Sequence, residues 1–256
     1  MERFTDRRVL ITGAGSGIGR ATVHRILREG GQVVAADISE AGLAETAKQA
    51  AEHGHADRLA TVTVDIGDEE SVRAGVAKAV DALGGLDVLV NAAGILRSAH
   101  THEMPLADWN RIITTNLTGT FLMIREALPT LLASEHKVIV NFASTSTFFA
   151  HPYMSAYAAS KGGIMSMTHA LAAEYSKQGL RVVAVAPGSI SSDMTDGRGP
   201  GLPEDADLSL FMKLIPGIGQ GFASPDTVAG VVAMLASDDG AFITGTEIRI
   251  DGGTHY

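Results

Sequence analysis

Seven largely apolar segments, at residues 8–12, 32–36, 58–64, 87–90, 137–142, 181–186 and 246–250, alternate along this chain with helix-forming stretches. Strands rich in Val, Ile and Leu belong to sheets covered on both faces, and strands separated by helices pair in parallel. The predicted fold is therefore α/β, with one parallel sheet of about seven strands and helices on both faces. Helices are expected over residues 40–52, 69–83, 106–133, 155–177 and 225–236, after a first one that closes near Glu29. In such sheets ligands bind in the crevice beyond the carboxyl ends of the strands. Gly13 to Gly19, Asp37, Asp65, Asn91, Ser144 and Pro187 all follow predicted strand ends, so they are expected to converge there.

The first strand runs into Gly13-Ala-Gly15-Ser-Gly17-Ile-Gly19 and then a helix, and the second strand is followed by Asp37. Glycine lets a backbone approach a pyrophosphate closely, and the helix N-terminus behind it offers free N–H groups and a partial positive charge. The spacing is not the strict G-x-G-x-x-G, because Ile18 stands at its last position. The strand before, the helix after and an acid 18 residues beyond Gly19 carry the dinucleotide reading. Asp37 can accept hydrogen bonds from adenosine ribose hydroxyls and would repel a 2′-phosphate, which points to NAD rather than NADP.

Tyr157 and Lys161 stand four apart in an Ala-rich stretch that reads as helix from Ser155, so they project from one face. An ammonium about 5 Å from a phenolate, at an effective dielectric near 20, stabilises it by roughly 3 kcal/mol, or about two pKa units. The helix dipole adds perhaps ~0.5 kcal/mol in the first turn. Both effects are expected to bring the phenol toward the pH range where it exchanges protons. Read without context, the pair is equally a surface Tyr and Lys at helical spacing.

A chain of 256 residues with 45% hydrophobic residues and no Pro/Ser-rich or charged linker is expected to form a single domain over residues 1–256. Its net charge of -9 has the wrong sign for a nucleic-acid or anionic-membrane surface. Cysteine is absent, which excludes disulfides and thiolate chemistry. The nine His are scattered, and His100-Thr-His102 has no matching carboxylate cluster, so no metal is expected. Without a signal core or an apolar run of about 18 residues, a soluble, cytoplasmic protein is expected.

Taken together, the chain resembles the short-chain dehydrogenase/reductase family over nearly its whole length. The resemblance rests on Thr12-Gly13-Ala-Gly15-Ser-Gly17-Ile-Gly19, Asn91-Ala-Ala-Gly94, Asn116, Ser144 thirteen residues before Tyr157-x-x-x-Lys161, Pro187-Gly188, Ile243-Thr-Gly-Thr and Asp251-Gly-Gly253. Ile95-Leu-Arg97 is similar to the 3-oxoacyl-carrier-protein reductase branch. The resemblance implies a Rossmann-type doubly wound sheet and hydride transfer between a nicotinamide cofactor and a small alcohol or ketone. It implies Tyr157 as the proton acceptor or donor, Ser144 as the group that bonds the substrate oxygen, Lys161 on the nicotinamide ribose and Asn116 supporting a water chain. By the same resemblance the cofactor would lie along Gly13, Gly15, Ser16, Gly17, Ile18 and Gly19, then Asp37 and Ile38, Asp65 and Ile66, Asn91, Ala92 and Gly94. It would end on Tyr157, Lys161, Pro187, Gly188, Ile190 and Ser192.

Members that use NADPH often carry a basic residue in the glycine turn or after the second strand, where this chain has Ser16 and Asp37-Ile38. A homo-oligomer, tetramer or dimer, is implied, with the helices around Asn116 and Tyr157 as contact faces. Two departures stand out: Ala92 where Asn is common, and Gly219-Gln-Gly-Phe-Ala-Ser where relatives carry an Arg before the last helix. Residues 191–222 interrupt the alternation with Gly197, Gly199, Pro200, Gly201 and Pro203, and then the apolar segment from Leu208 to Ile215. A mobile lid over the crevice is expected there. Phe148, Phe149, Met154 and Met194 point to an apolar substrate, with a 3-oxoacyl thioester, a steroid or cyclic ketone, and a polyol all remaining open. A dinucleotide-binding regulatory or scaffolding protein without catalysis is the reading from another class; the joint presence of Asn116, Ser144, Tyr157 and Lys161 argues against it.

Overall fold

The structure is a computed structural model and describes residues 2–191, 201–219 and 221–254. Among these residues seven strands form one parallel sheet in the order β3-β2-β1-β4-β5-β6-β7. They are β1 (Arg8–Thr12), β2 (Gln32–Asp37), β3 (Leu59–Thr63), β4 (Val88–Asn91), β5 (Val138–Phe142), β6 (Arg181–Pro187) and β7 (Glu247–Ile250). The helices are α1 (Gly17–Arg28), α2 (Glu40–Glu52), α3 (Glu69–Leu83), α4 (Leu106–Ile113), α5 (Gly119–Leu132), α6 (Ser155–Glu174) and α7 (Pro225–Ala236).

Alternation along the strands divides the core in two. Val9, Ile11, Val33, Val88, Val90, Val183 and Val185 pack with Val23, Ile26 and Leu27 of α1 and Val228 and Val232 of α7. The residues between them, Leu10, Val34, Leu89, Ile139 and Val182, pack on the opposite face with Val72 and Val76 of α3 and Met123 and Leu131 of α5. Successive side chains of a strand face opposite ways, so apolar runs of this kind need cover on both sides. β3 lies at the sheet edge, and there Ala60, Thr61 and Thr63 are exposed. The chain runs outward from β1 to β2 and β3, then crosses back to place β4 on the other side of β1 and continues to β7, which opens the crevice between the carboxyl ends of β1 and β4.

One expected helix is three elements. Residues 106–133 divide into α4, a π-helical turn over Thr114–Thr118, and α5. The wider turn shifts the side-chain register at its centre, and Asn116 there is fully buried. The Thr120 hydroxyl donates to the Asn116 carbonyl at 2.6 Å, so the displaced backbone acceptor keeps a partner. Among the described residues no helix is long and apolar enough to cross a membrane.

Candidate active site

At the end of β1 the chain turns through Gly13, whose φ of +67° lies in the left-handed region. A Cβ there would come within 2.8 Å of the Ala93 backbone, so only glycine lets the turn pass this close to the segment after β4. Gly19 is tighter still: its Cβ would stand 2.0 Å from the Gly13 carbonyl oxygen. These contacts seat α1 against the strand end. Ser16 occupies the N-cap of α1 in extended conformation but makes no side-chain cap, whereas α2, α3 and α7 begin on Ser39, Asp68 and Ser224, each of which accepts from a backbone N–H. The α1 terminus thus lacks the side-chain acceptor that these three have, and its N–H groups suit an anion. Asp37, at the end of β2, is held by N–H donors from Gly15 and Ser39, each at 2.9 Å and each to a different carboxylate oxygen. Arg20 is committed to the carbonyls of Gly15 and Gly42 and the Thr46 hydroxyl.

Across the crevice, Ser144 follows β5 and does two things at once. Its hydroxyl accepts from the Ser146 N–H at 3.2 Å, capping the short 3-10 turn Thr145–Thr147, and it hydrogen-bonds the Tyr157 phenol. Lys161, only 4% exposed, donates to the Phe142 carbonyl at 2.7 Å, with its nitrogen 5.7 Å from the Tyr157 ring centroid. Asn116 donates to the Ile95 carbonyl at 2.9 Å and to the Ser160 hydroxyl at 3.0 Å, and accepts from the Ile95 N–H at 2.8 Å. It clamps the loop after β4 to α6.

The Tyr157 pKa moves opposite to the expected direction. Burial pushes the Tyr157 phenol above its ordinary pKa of 10, against the Ser144 hydrogen bond that lowers it. Burial also brings Lys161 down, from 10.5 to about 8. Removing both groups from water outweighs their mutual attraction, and the ammonium is turned to a carbonyl. At pH 7 the amine still carries its charge and the phenol its proton.

A cleft of about 1180 Å³ joins the two sides. Gly13, Ser16, Gly17, Ile18 and Gly19 line it, as do Asp37, Ile38, Asp65, Ile66, Ala92 and Gly94, followed by Ser144, Tyr157, Lys161, Pro187, Gly188 and Ile190. Asp65 also shapes its own turn, accepting from the Gly67 N–H at 2.8 Å, while Asp68 caps α3. Three expected residues are not on the wall: Gly15 lies behind Asp37, Asn116 lies beneath it, and Asn91 turns into the sheet, where its amide donates to Asn141 at 2.9 Å. The Asn91 Oδ1 is buried without a partner. Ser192 and Met194 fall outside the described residues.

A model of the short chain dehydrogenase family matches residues 7–202. The chain belongs to that family. It is 37% identical over 251 residues to a 3-oxoacyl-(acyl-carrier-protein) reductase of Thermotoga maritima, with 98% of each chain covered. It is 38% identical over 253 residues to the cis-4-hydroxycyclohexanecarboxylate dehydrogenase of Sinomonas cyclohexanicum, again with 98% of each covered. The crystal structure of a dehydrogenase/reductase from Sinorhizobium meliloti 1021 matches with a TM-score of 0.88 and 30% identity, covering 99% of this chain and 96% of that one. The protein is accordingly an NAD(P)-dependent oxidoreductase acting on alcohol and ketone groups.

In this short-chain dehydrogenase the substrate end of the cleft differs from expectation. Phe148 is 42% exposed, and neither it nor Phe149 lines the cleft; Phe149 lies under the Arg249 guanidinium at 5.5 Å. The wall is made by Met154 as expected, and by Ile95, Leu96, Thr145 and His151, none of which the sequence places at the substrate end. Phe211, Leu214, Ile215 and Pro216 of residues 201–219 close one side. That segment is tied down by Tyr153, whose hydroxyl accepts from the Asp207 N–H at 2.9 Å and whose ring stacks on Phe211, and by His100, bonded to Asp205 at 2.8 Å. The Asp205 carboxylate beside it raises the His100 pKa above 6.5.

Proposed function

We propose that the chain transfers a hydride between NAD(H) and a secondary alcohol or the corresponding ketone. The observation that carries the choice of cofactor is the Asp37 carboxylate, fixed at the end of β2 by two backbone N–H groups and lining the cleft. Both oxygens keep lone pairs for ribose hydroxyls, and no phosphate fits against that charge. The glycine turn and the uncapped start of α1 suit the pyrophosphate. When bound, the nicotinamide supplies the hydride acceptor or donor.

The residues do the rest. Ser144 holds the substrate oxygen while Tyr157 takes the hydroxyl proton in oxidation or returns it in reduction. Lys161 keeps its positive charge beside the phenol and so stabilises the phenolate that accepts the proton in oxidation and that reduction leaves behind. Asn116 fixes the loop after β4 relative to α6 and so the height of Tyr157 in the cleft. Residues 201–219 act as a lid, and the whole chain works as one domain. Met154, Phe211, Leu214 and Ile215 give the substrate apolar surroundings.

Similarity to the Thermotoga maritima reductase supports a second reading, an NADPH-dependent 3-oxoacyl reductase. Nicotinamide absorbance, followed with NAD(H) and NADP(H) separately against ketones, secondary alcohols and 3-oxoacyl thioesters, separates the two. The expected preference for NAD(H) is at least tenfold in kcat/KM, and Asp37→Ser reduces it to near parity. A wild-type preference for NADP(H) overturns the reading.

A further inference from the structure

His151 lines the cleft six residues before Tyr157 and is only partly buried. Its Nε2 lies 3.3 Å from the Thr145 hydroxyl, which in turn lies 3.4 Å from the Pro187 carbonyl. Because the carbonyl only accepts, Thr145 donates to it, and the imidazole then presents Nε2–H toward the Thr145 oxygen. Both contacts are longer than the roughly 2.7–3.2 Å of a well-formed bond. A ligand oxygen at ordinary distance would compete with either of them.

The loop that presents this pair is fixed. Tyr153, two residues on, has a φ of +65°, an uncommon conformation for a residue with a side chain. The Ala99 N–H donates to the Tyr153 carbonyl at 2.9 Å, and the Tyr153 hydroxyl accepts from Asp207. Tyr153 thus leans on the lid while His151 stays at the cleft wall. Strained backbone beside a ligand site persists where surrounding contacts hold it. Thr145 directly follows Ser144, and neighbouring Cα atoms are about 3.8 Å apart, comparable with the roughly 3–5 Å between two oxygens on substrate carbons one or two bonds apart.

We infer that Thr145 and His151 form a second oxygen-binding point, and that the substrate is a secondary alcohol or ketone with a further hydroxyl or carbonyl oxygen one or two carbons from the reacting carbon. Ser144 and Tyr157 take the reacting oxygen, and His151 and Thr145 take the other. A mono-oxygenated substrate fills the apolar wall but leaves this pair unused. The inference rests on the alcohol–ketone chemistry proposed above, and its test reads binding, so that failure of turnover and failure of this assignment are separate results.

The test is calorimetric titration of the NADH complex with cyclohexanone and with 2-hydroxycyclohexanone, in a Tyr157→Phe background that stops hydride transfer, with His151 as in the wild type, as His151→Leu and as His151→Asn. The protein that keeps His151 is expected to bind the hydroxyketone at least tenfold more tightly, His151→Leu to bring the ratio near one, and His151→Asn, which keeps a polar amide, to recover part of it. The inference is overturned if the protein that keeps His151 binds neither compound or shows no preference. It is also overturned if His151→Leu weakens both equally, because an unchanged ratio means the histidine only supports the loop.

Discussion

The two walls of the cleft are built differently. On the cofactor side, β1, β2 and β4 end in backbone held by close approach: Gly13 against Ala93, Gly19 against Gly13, and Asp37 by two N–H groups at 2.9 Å. On the substrate side the wall is side chains from loops. There Thr145 and His151 meet at 3.3 Å, and Leu208, Leu210 and Met212 of residues 201–219 stand at least half exposed. A dinucleotide is the same molecule in every turnover and rewards a rigid fit, whereas substrate must enter and leave past the proposed lid. The contrast predicts that changes on the first wall act through packing and those on the second through local bonds.

The largest effect is expected at Gly19. A methyl group 2.0 Å from the Gly13 oxygen cannot be accommodated without separating α1 from the turn. Gly19→Ala should lower stability by about 2–3 kcal/mol, the usual scale of overpacking, and NADH affinity by at least a hundredfold, read by denaturant melts and NADH titration. A variant that binds NADH normally breaks the claim of a rigid wall.

Lys161 tests where the two walls meet. Its pKa is lowered to about 8 by burial, so the folded protein binds fewer protons than the unfolded chain between about 8 and 10.5. The charged, buried amine therefore costs stability below pH 8, and the cost fades as pH rises through that window. Lys161→Met should be more stable than wild type at pH 7, by an amount up to about 3 kcal/mol less about 1 for the lost hydrogen bond. Above pH 8 the difference should shrink, and by about pH 10.5 it should be gone or slightly reversed. Melting both proteins at pH 7 and pH 10 measures this, and an advantage independent of pH contradicts it.

A small effect is expected at the proposed lid. The His100 pKa is raised by the Asp205 hydrogen bond. Their ion pair is therefore fully present below about pH 6.5 and is lost as pH rises through the raised value. His100→Ala should raise KM about twofold at pH 6, the scale of an exposed pair, and leave it unchanged at pH 9. Equal effects at both pH values would show that His100 acts only by packing against Tyr153.

The same contrast explains what the sequence made legible. β1, β2 and the glycine turn were visible because apolar runs and left-handed glycines are local properties. The π-turn at Asn116 was not: nothing in Thr114–Thr118 forbids an ordinary helix, and the turn is held by bonds to Ile95 and Ser160, which are distant in sequence. The spacing of Tyr157 and Lys161 was readable, yet the direction of their pKa shifts was not, because desolvation depends on depth. The side-chain amide of Asn91 meets Asn141 of β5, a neighbour fifty residues away that no local pattern reports. The outward turn of Phe148 and the inward turn of His151 are set by the loop that Tyr153 holds, and no periodicity reports them.

The most direct test of the central claim removes one oxygen. Tyr157→Phe deletes the phenol hydroxyl that bonds Ser144 and leaves the ring, Lys161 and the glycine turn in place. NADH titration and turnover should be measured on the same preparation. The account predicts an NADH dissociation constant within about threefold of wild type and turnover lower by about 10²–10⁴, the range of a lost general acid or base. Turnover within tenfold of wild type would contradict it, and would move the proton transfer to another group in the cleft.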